Sequence, residues 1–219
     1  MKDVEETKAE LLEVIVQSPE ASLQLALGML RRGRPVPERI DGVLRGLKGA
    51  PCPPRAWEMD RDRYLTYAEA RILYGKGWSA KDAAAVREVM KPQEAKLGEL
   101  LERGRAMEPG SWVREGRSHL VDEADRETED RLMGAMGADD PQAGLMTVRD
   151  CLRKGWEVNG GLVAALMANR REHHGWALVE ALVLYGRRLP EGVAERLAKC
   201  EGNGELKRVL GPVLSGGKG

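Results

Sequence analysis

Two stretches of this chain decide the reading of its fold. They are Leu145-Met-Thr-Val-Arg-Asp-Cys-Leu-Arg-Lys-Gly-Trp156 and Trp176-Ala-Leu-Val-Glu-Ala-Leu-Val-Leu-Tyr-Gly-Arg-Arg-Leu189. Each is an apolar run at helical spacing that stops at a glycine flanked by cations, as expected for a left-handed helix C-cap. The first leads into Gly161-Leu-Val-Ala-Ala-Leu-Met167 and the second into Pro190-Glu-Gly-Val-Ala-Glu-Arg-Leu197. The pattern predicts helix, glycine corner, helix, repeated one hairpin further on.

Working outward, the same punctuation recurs. Ser18-Pro19 reads as an N-cap followed by proline at the first helical position, with Leu23, Leu25, Leu27 and Leu30 leading to Arg31-Arg32-Gly33. Pro37 opens a helix carrying Ile40, Val43, Leu44 and Leu47. The prolines of Ala50-Pro-Cys-Pro-Pro54 predict a loop or linker reaching to Leu65. Thr66-Tyr-Ala-Glu69 has the form of a capping box and predicts a helix start at Thr66. Ser79 caps the next helix, and Pro92 starts another through Leu97, Leu100 and Leu101. A second break spans 104–117. The helix expected over 118–136 places Leu120, Val121, Ala124, Leu132, Met133 and Met136 on its core side. Asp140-Pro141 then opens the first of the two deciding stretches. No alternating run bounded by turns suggests a strand.

These elements predict an all-α fold of antiparallel helical hairpins, packed as an irregular bundle or short α-solenoid without a β-sheet. Two helical lobes, 1–104 and 118–219, are the expected organisation, with one continuous helical domain as the alternative. Four turns look alike: Leu30-Arg-Arg-Gly33, Leu73-Tyr-Gly-Lys-Gly-Trp78, Leu152-Arg-Lys-Gly-Trp156 and Leu184-Tyr-Gly-Arg-Arg-Leu189. The last pair, roughly 33 residues apart, resembles the helical-hairpin repeat proteins of the HEAT type.

Composition narrows the function classes. The chain has 219 residues, 42% hydrophobic and 32% charged, which excludes a disordered protein and leaves ample apolar surface for a core. The formal net charge of zero weighs against a dedicated nucleic-acid binder. Charge is nevertheless uneven: residues 119–150 hold nine acidic against three basic residues. No apolar run approaches the ~18 residues of a membrane span. Three scattered cysteines argue against a disulfide framework and, with no signal-like apolar core near Met1, lead to an expected cytoplasmic, reducing setting.

The candidate partner-binding residues lie at the turns: Arg31, Arg32, Arg34, Lys76, Trp78, Arg153, Lys154, Trp156, Arg187 and Arg188. Cations at helix C-termini complement the dipole and cap free carbonyls, each worth ~0.3–1 kcal/mol, which accounts for them without a ligand. Aligned along one edge, they would form a basic ridge for phosphate or an acidic partner. Trp78, Trp156 and Trp176 follow glycines. They are read first as hydrophobic lids over the turns, and otherwise as anchors for a partner or stacking platforms for bases.

His173-His174 lacks the spacing of a metal site, since adjacent helical residues point about 100° apart, and is read as a solvated pair at a helix start. The acidic run Asp122–Asp130 lacks an EF-hand glycine and is read as a solvated face, open to a basic segment of another copy. Nucleophile elbow, Walker loop and dinucleotide fingerprint are all missing. No catalytic residue, cofactor or metal is therefore assigned. The expectation is a non-enzymatic helical interaction or assembly protein (scaffold, adaptor or self-assembling subunit). The alternative is a helical nucleic-acid binder using its basic Gly-Trp turns.

Overall fold

A computed structural model describes residues 11–47, 54–74, 79–103, 123–169, 172–187, 189–190 and 192–193. Among them every regular element is a helix, so the fold is all-α, with no strand among the described residues. They fall into two compact units, one up to Val89 and the other from Met90 onward.

The first unit contains α1 (Pro19–Arg31), α2 (Glu38–Gly46), α3 (Pro54–Tyr74) and α4 (Ala80–Val89), preceded by a helical turn and a half at residues 11–16. Ser18 caps α1, its hydroxyl accepting the Ala21 N–H at 3.2 Å, and Pro19 follows where a missing N–H costs nothing. At the other end Gly33 takes φ 69°. The Gly33 N–H donates to the Leu30 carbonyl at 3.0 Å and the Arg34 N–H to that of Met29 at 2.9 Å. This 5→2 and 6→1 pair is a Schellman corner, and only glycine takes its left-handed position without strain. α1 packs on α2 and α3, burying Leu23, Ala26, Leu27, Leu30, Ile40, Leu44, Leu65 and Ile72. At ~1.5–3 kcal/mol for each large side chain, this burial outweighs any cap or surface ion pair.

The first unit corrects the expected loop. α3 begins at Pro54, not at Thr66, and Thr66 is a buried interior residue rather than an N-cap. A proline in the opening turn of a helix loses no hydrogen bond, so the proline cluster marks a helix start and not a continuing break. The Asp60–Arg63 ion pair, three residues apart at 2.7 Å, then supports the segment that the prolines obscured.

The second unit contains α5 (Ala95–Arg103), α6 (Glu123–Asp139), α7 (Pro141–Lys154), α8 (Gly160–Ala168) and α9 (Glu172–Leu184). α7 is the hub, contacting α5, α6, α8 and α9, with Leu145, Val148 and Leu152 buried alongside Leu162, Leu166, Leu178 and Leu182. Asp140 caps α7 by accepting the Ala143 N–H at 3.0 Å, and Asn159 caps α8 by accepting that of Leu162 at 3.1 Å. Both deciding stretches end in Schellman corners: Gly155 has φ 82° and Gly186 has φ 66°. The N–H groups of Trp156 and Arg187 close them onto Cys151 and Leu182, each at 2.8 Å.

The α6 face departs from expectation. Leu132 is 64% exposed and Met136 37% exposed, whereas Gly137 is buried. α6 turns its glycines inward against α8. A Cβ on Gly134 would lie 3.3 Å from the Gly161 carbonyl oxygen, and one on Gly137 2.5 Å from Leu162 Cδ1. Glycine lets two backbones approach closely, and that geometry overrides the apolar periodicity. Leu120 and Val121 lie outside the described residues.

Candidate functional site

The corner closing α7 holds three of the candidate residues together. Lys154, in the last turn, pairs with Asp150 one turn earlier at 2.5 Å, and its ammonium lies 4.4 Å from the centre of the Trp156 ring. Trp156 occupies the position after the corner glycine. Its N–H is used by the Schellman bond, while its side chain stands 57% exposed. Arg187, at the equivalent position after α9, reaches back across the hairpin. One of its terminal nitrogens donates to the carbonyls of Gly155 at 3.0 Å and Trp156 at 2.9 Å. A cation from one Schellman corner thus binds backbone carbonyls at the other and holds the Trp156 backbone in place.

This geometry divides the cations by role. Arg153, next to Lys154 on the helix, is only 1% exposed and belongs to the interior of the second unit. It shares that interior with Arg149, Glu180 and His174, each of which also has a polar or electrostatic interaction. Arg32 and Arg34 are exposed at the α1 corner, and Arg31 is half-buried. Lys76, Trp78 and Arg188 lie outside the described residues.

The expected hydrophobic lid is corrected at Trp156: its ring meets the Lys154 ammonium of the last turn and stays largely exposed instead of burying over the corner. Trp176 is half-buried. The expected solvated histidine pair is half right: His173 is exposed, but His174 is buried, with ring centres 4.0 Å apart. The one-residue step of α9 sends the second ring inward. Among the described residues no three His, Cys, Asp or Glu side chains are placed to hold a metal ion. Burial, reinforced by Asp150, raises the Cys151 thiol pKa, opposite to the activation a nucleophilic cysteine needs.

Sequence reasoning missed a polar network in the first unit that ties α2, α3 and α4 together. The Asp41 carboxylate accepts the Tyr67 hydroxyl at 2.5 Å and pairs with Arg45 Nε at 2.6 Å. Arg45 bridges onward to Asp82, which also accepts from the hydroxyl and N–H of Ser79 at 2.9 and 3.2 Å. Burial alone would lower the Arg45 pKa, but Asp41 and Asp82 outweigh it and raise it. Burial pulls Asp82 upward, yet the Ser79 hydrogen bonds and Arg45 bring it below the ordinary carboxylate value. Tyr67 is pushed well above an ordinary phenol, first by burial and then by its bond to Asp41. Arg71, 3.5 Å from Asp41, supplies the second cation, so two arginines balance the two aspartates. Only the Ser79–Asp82 spacing of a capping box signalled any of it.

No helix among the described residues is long and apolar enough to cross a membrane. No protein-family model, curated protein or solved structure matches the chain.

Proposed function

We propose that this chain is a non-enzymatic protein–protein interaction or assembly protein, and that Trp156 anchors a partner. The observation that carries this reading is a large indole left 57% exposed on a corner fixed by Arg187. A tryptophan buries up to ~250 Å² when covered, and it is enriched among the residues that dominate binding energy. A rigid backbone beneath it lowers the ordering cost on association.

Stacking on a nucleic-acid base would use the same ring. The surrounding charges favour a protein partner: Lys154 is committed to Asp150, Arg187 to two carbonyls, and Arg153 is interior. Among the described residues, few phosphate-binding cations then remain at this corner. The test is affinity capture from the native source with wild type and Trp156→Ala in parallel, assayed for protein and nucleic acid. A protein retained by wild type and depleted about tenfold with Trp156→Ala is the expected result. Equal recovery, or retention of nucleic acid alone, overturns the reading.

A further inference from the structure

The outer face of α6 carries a second message. Its inward contact with α8 is made through glycine, while Leu132, Ala135 and Met136, spaced three and four residues apart, form one exposed apolar stripe. A helix that spends glycine inside and leucine and methionine outside leaves its apolar surface unburied by its own unit. The stripe is flanked by exposed Glu129, Asp139 and Asp140, with Arg131 the one exposed cation over residues 129–140. Along its length α6 holds six acidic and two basic residues.

We propose that this face is a docking surface for a basic amphipathic helix of a partner protein. Recognition of a helix by anchors one turn apart needs an apolar stripe of this spacing, and the acidic margin selects cations on the arriving helix. The same charge argues against a second copy of α6 as the occupant, because self-pairing would set two strongly acidic helices side by side. The face is independent of Trp156, which lies on the corner after α7, so either proposal can fail without the other.

The test uses the full chain and a dye-labelled synthetic amphipathic peptide of roughly 15 leucines and lysines, with a Leu/Glu peptide of the same apolar pattern as control. Fluorescence anisotropy is read at low and high salt. The Leu/Lys peptide should bind, weakening with salt, and the double variant Leu132→Ser with Met136→Ser should weaken it about tenfold or more. Both side chains are exposed, so the variant should keep the wild-type helical circular dichroism. A separate variant, Glu129→Lys with Asp139→Lys, should weaken binding while leaving the apolar stripe intact. Trp156→Ala should leave binding within about twofold. The proposal is overturned if the Leu/Glu peptide binds equally well, or if neither peptide binds. It is also overturned if the serine pair changes nothing, or if light scattering shows a wild-type dimer that the serine pair dissociates.

Discussion

Replacing Gly161 by alanine puts the glycine crossing of α6 and α8 to a direct test. In an ordinary helix this change stabilises, because alanine is about 1 kcal/mol better than glycine. At Gly161 the new Cβ would overlap the Asp130 carbonyl oxygen and lie 2.6 Å from its carbonyl carbon. Both atoms are backbone, so no side chain can swing aside, and α6 must move from α8. Overpacking costs roughly 1–3 kcal/mol, and an overlap with unyielding backbone falls in the upper part of that range, so it cancels the propensity gain of about 1 kcal/mol and leaves a net loss of about 1–2 kcal/mol. For a chain of this size that loss corresponds to a melting point lower by about 2–8 °C. The assay is urea and thermal unfolding followed by circular dichroism at the helical band. Gly28→Ala in α1 is the matched control: a Cβ there meets nothing within 4 Å, so it should gain about 0.4–1 kcal/mol. An equal gain at Gly161 would refute the close-crossing argument.

Two further outcomes follow from the network in the first unit. Because the Asp82 pKa is lowered on folding, its stabilisation is present above the unfolded value of 3.8 and lost as pH falls through the folded value. Asp82→Asn should therefore lower the urea midpoint near neutrality and flatten its fall between pH 5 and pH 2, read as a series of midpoints against pH. The Tyr67 pKa is raised above 10.0, so the phenol's contribution is complete below pH 10 and declines as pH rises above it. Ultraviolet titration of phenolate should show a late-ionising tyrosine that disappears in Tyr67→Phe.

What could be read from the residues depended on whether the signal was local. Ser18-Pro19, Asp140-Pro141 and the glycines at 33, 155 and 186 specify caps through their own backbone requirements, and each sits where the pattern places it. The start of α3 was legible in principle, but a run of prolines suits a loop and a helix's first turn equally well. The α6 face was not legible from periodicity, since Leu132 and Met136 score as core residues until Gly134 and Gly137 are known to meet Gly161 and Leu162. At the candidate corner, one helical step separates interior Arg153 from Lys154, and only the packing of the helix against its neighbours settles which of the two faces inward. The Arg187 reach to Gly155 and Trp156 spans more than thirty residues and leaves no trace in either turn alone.

The crossing of α6 and α8 also constrains how this chain can change over time. Its leucines and valines can drift among one another with modest repacking, blurring ancestry. Gly161 has no substitute of the same size, because a methyl group there would overlap the Asp130 backbone. One at Gly144 would press on the Gly137 backbone at 3.2 Å, whereas at Gly137 the first atom met is the movable end of Leu162. Descent should therefore be recorded less in the oily stripes than in the spacing of those few residues that have no side chain at all.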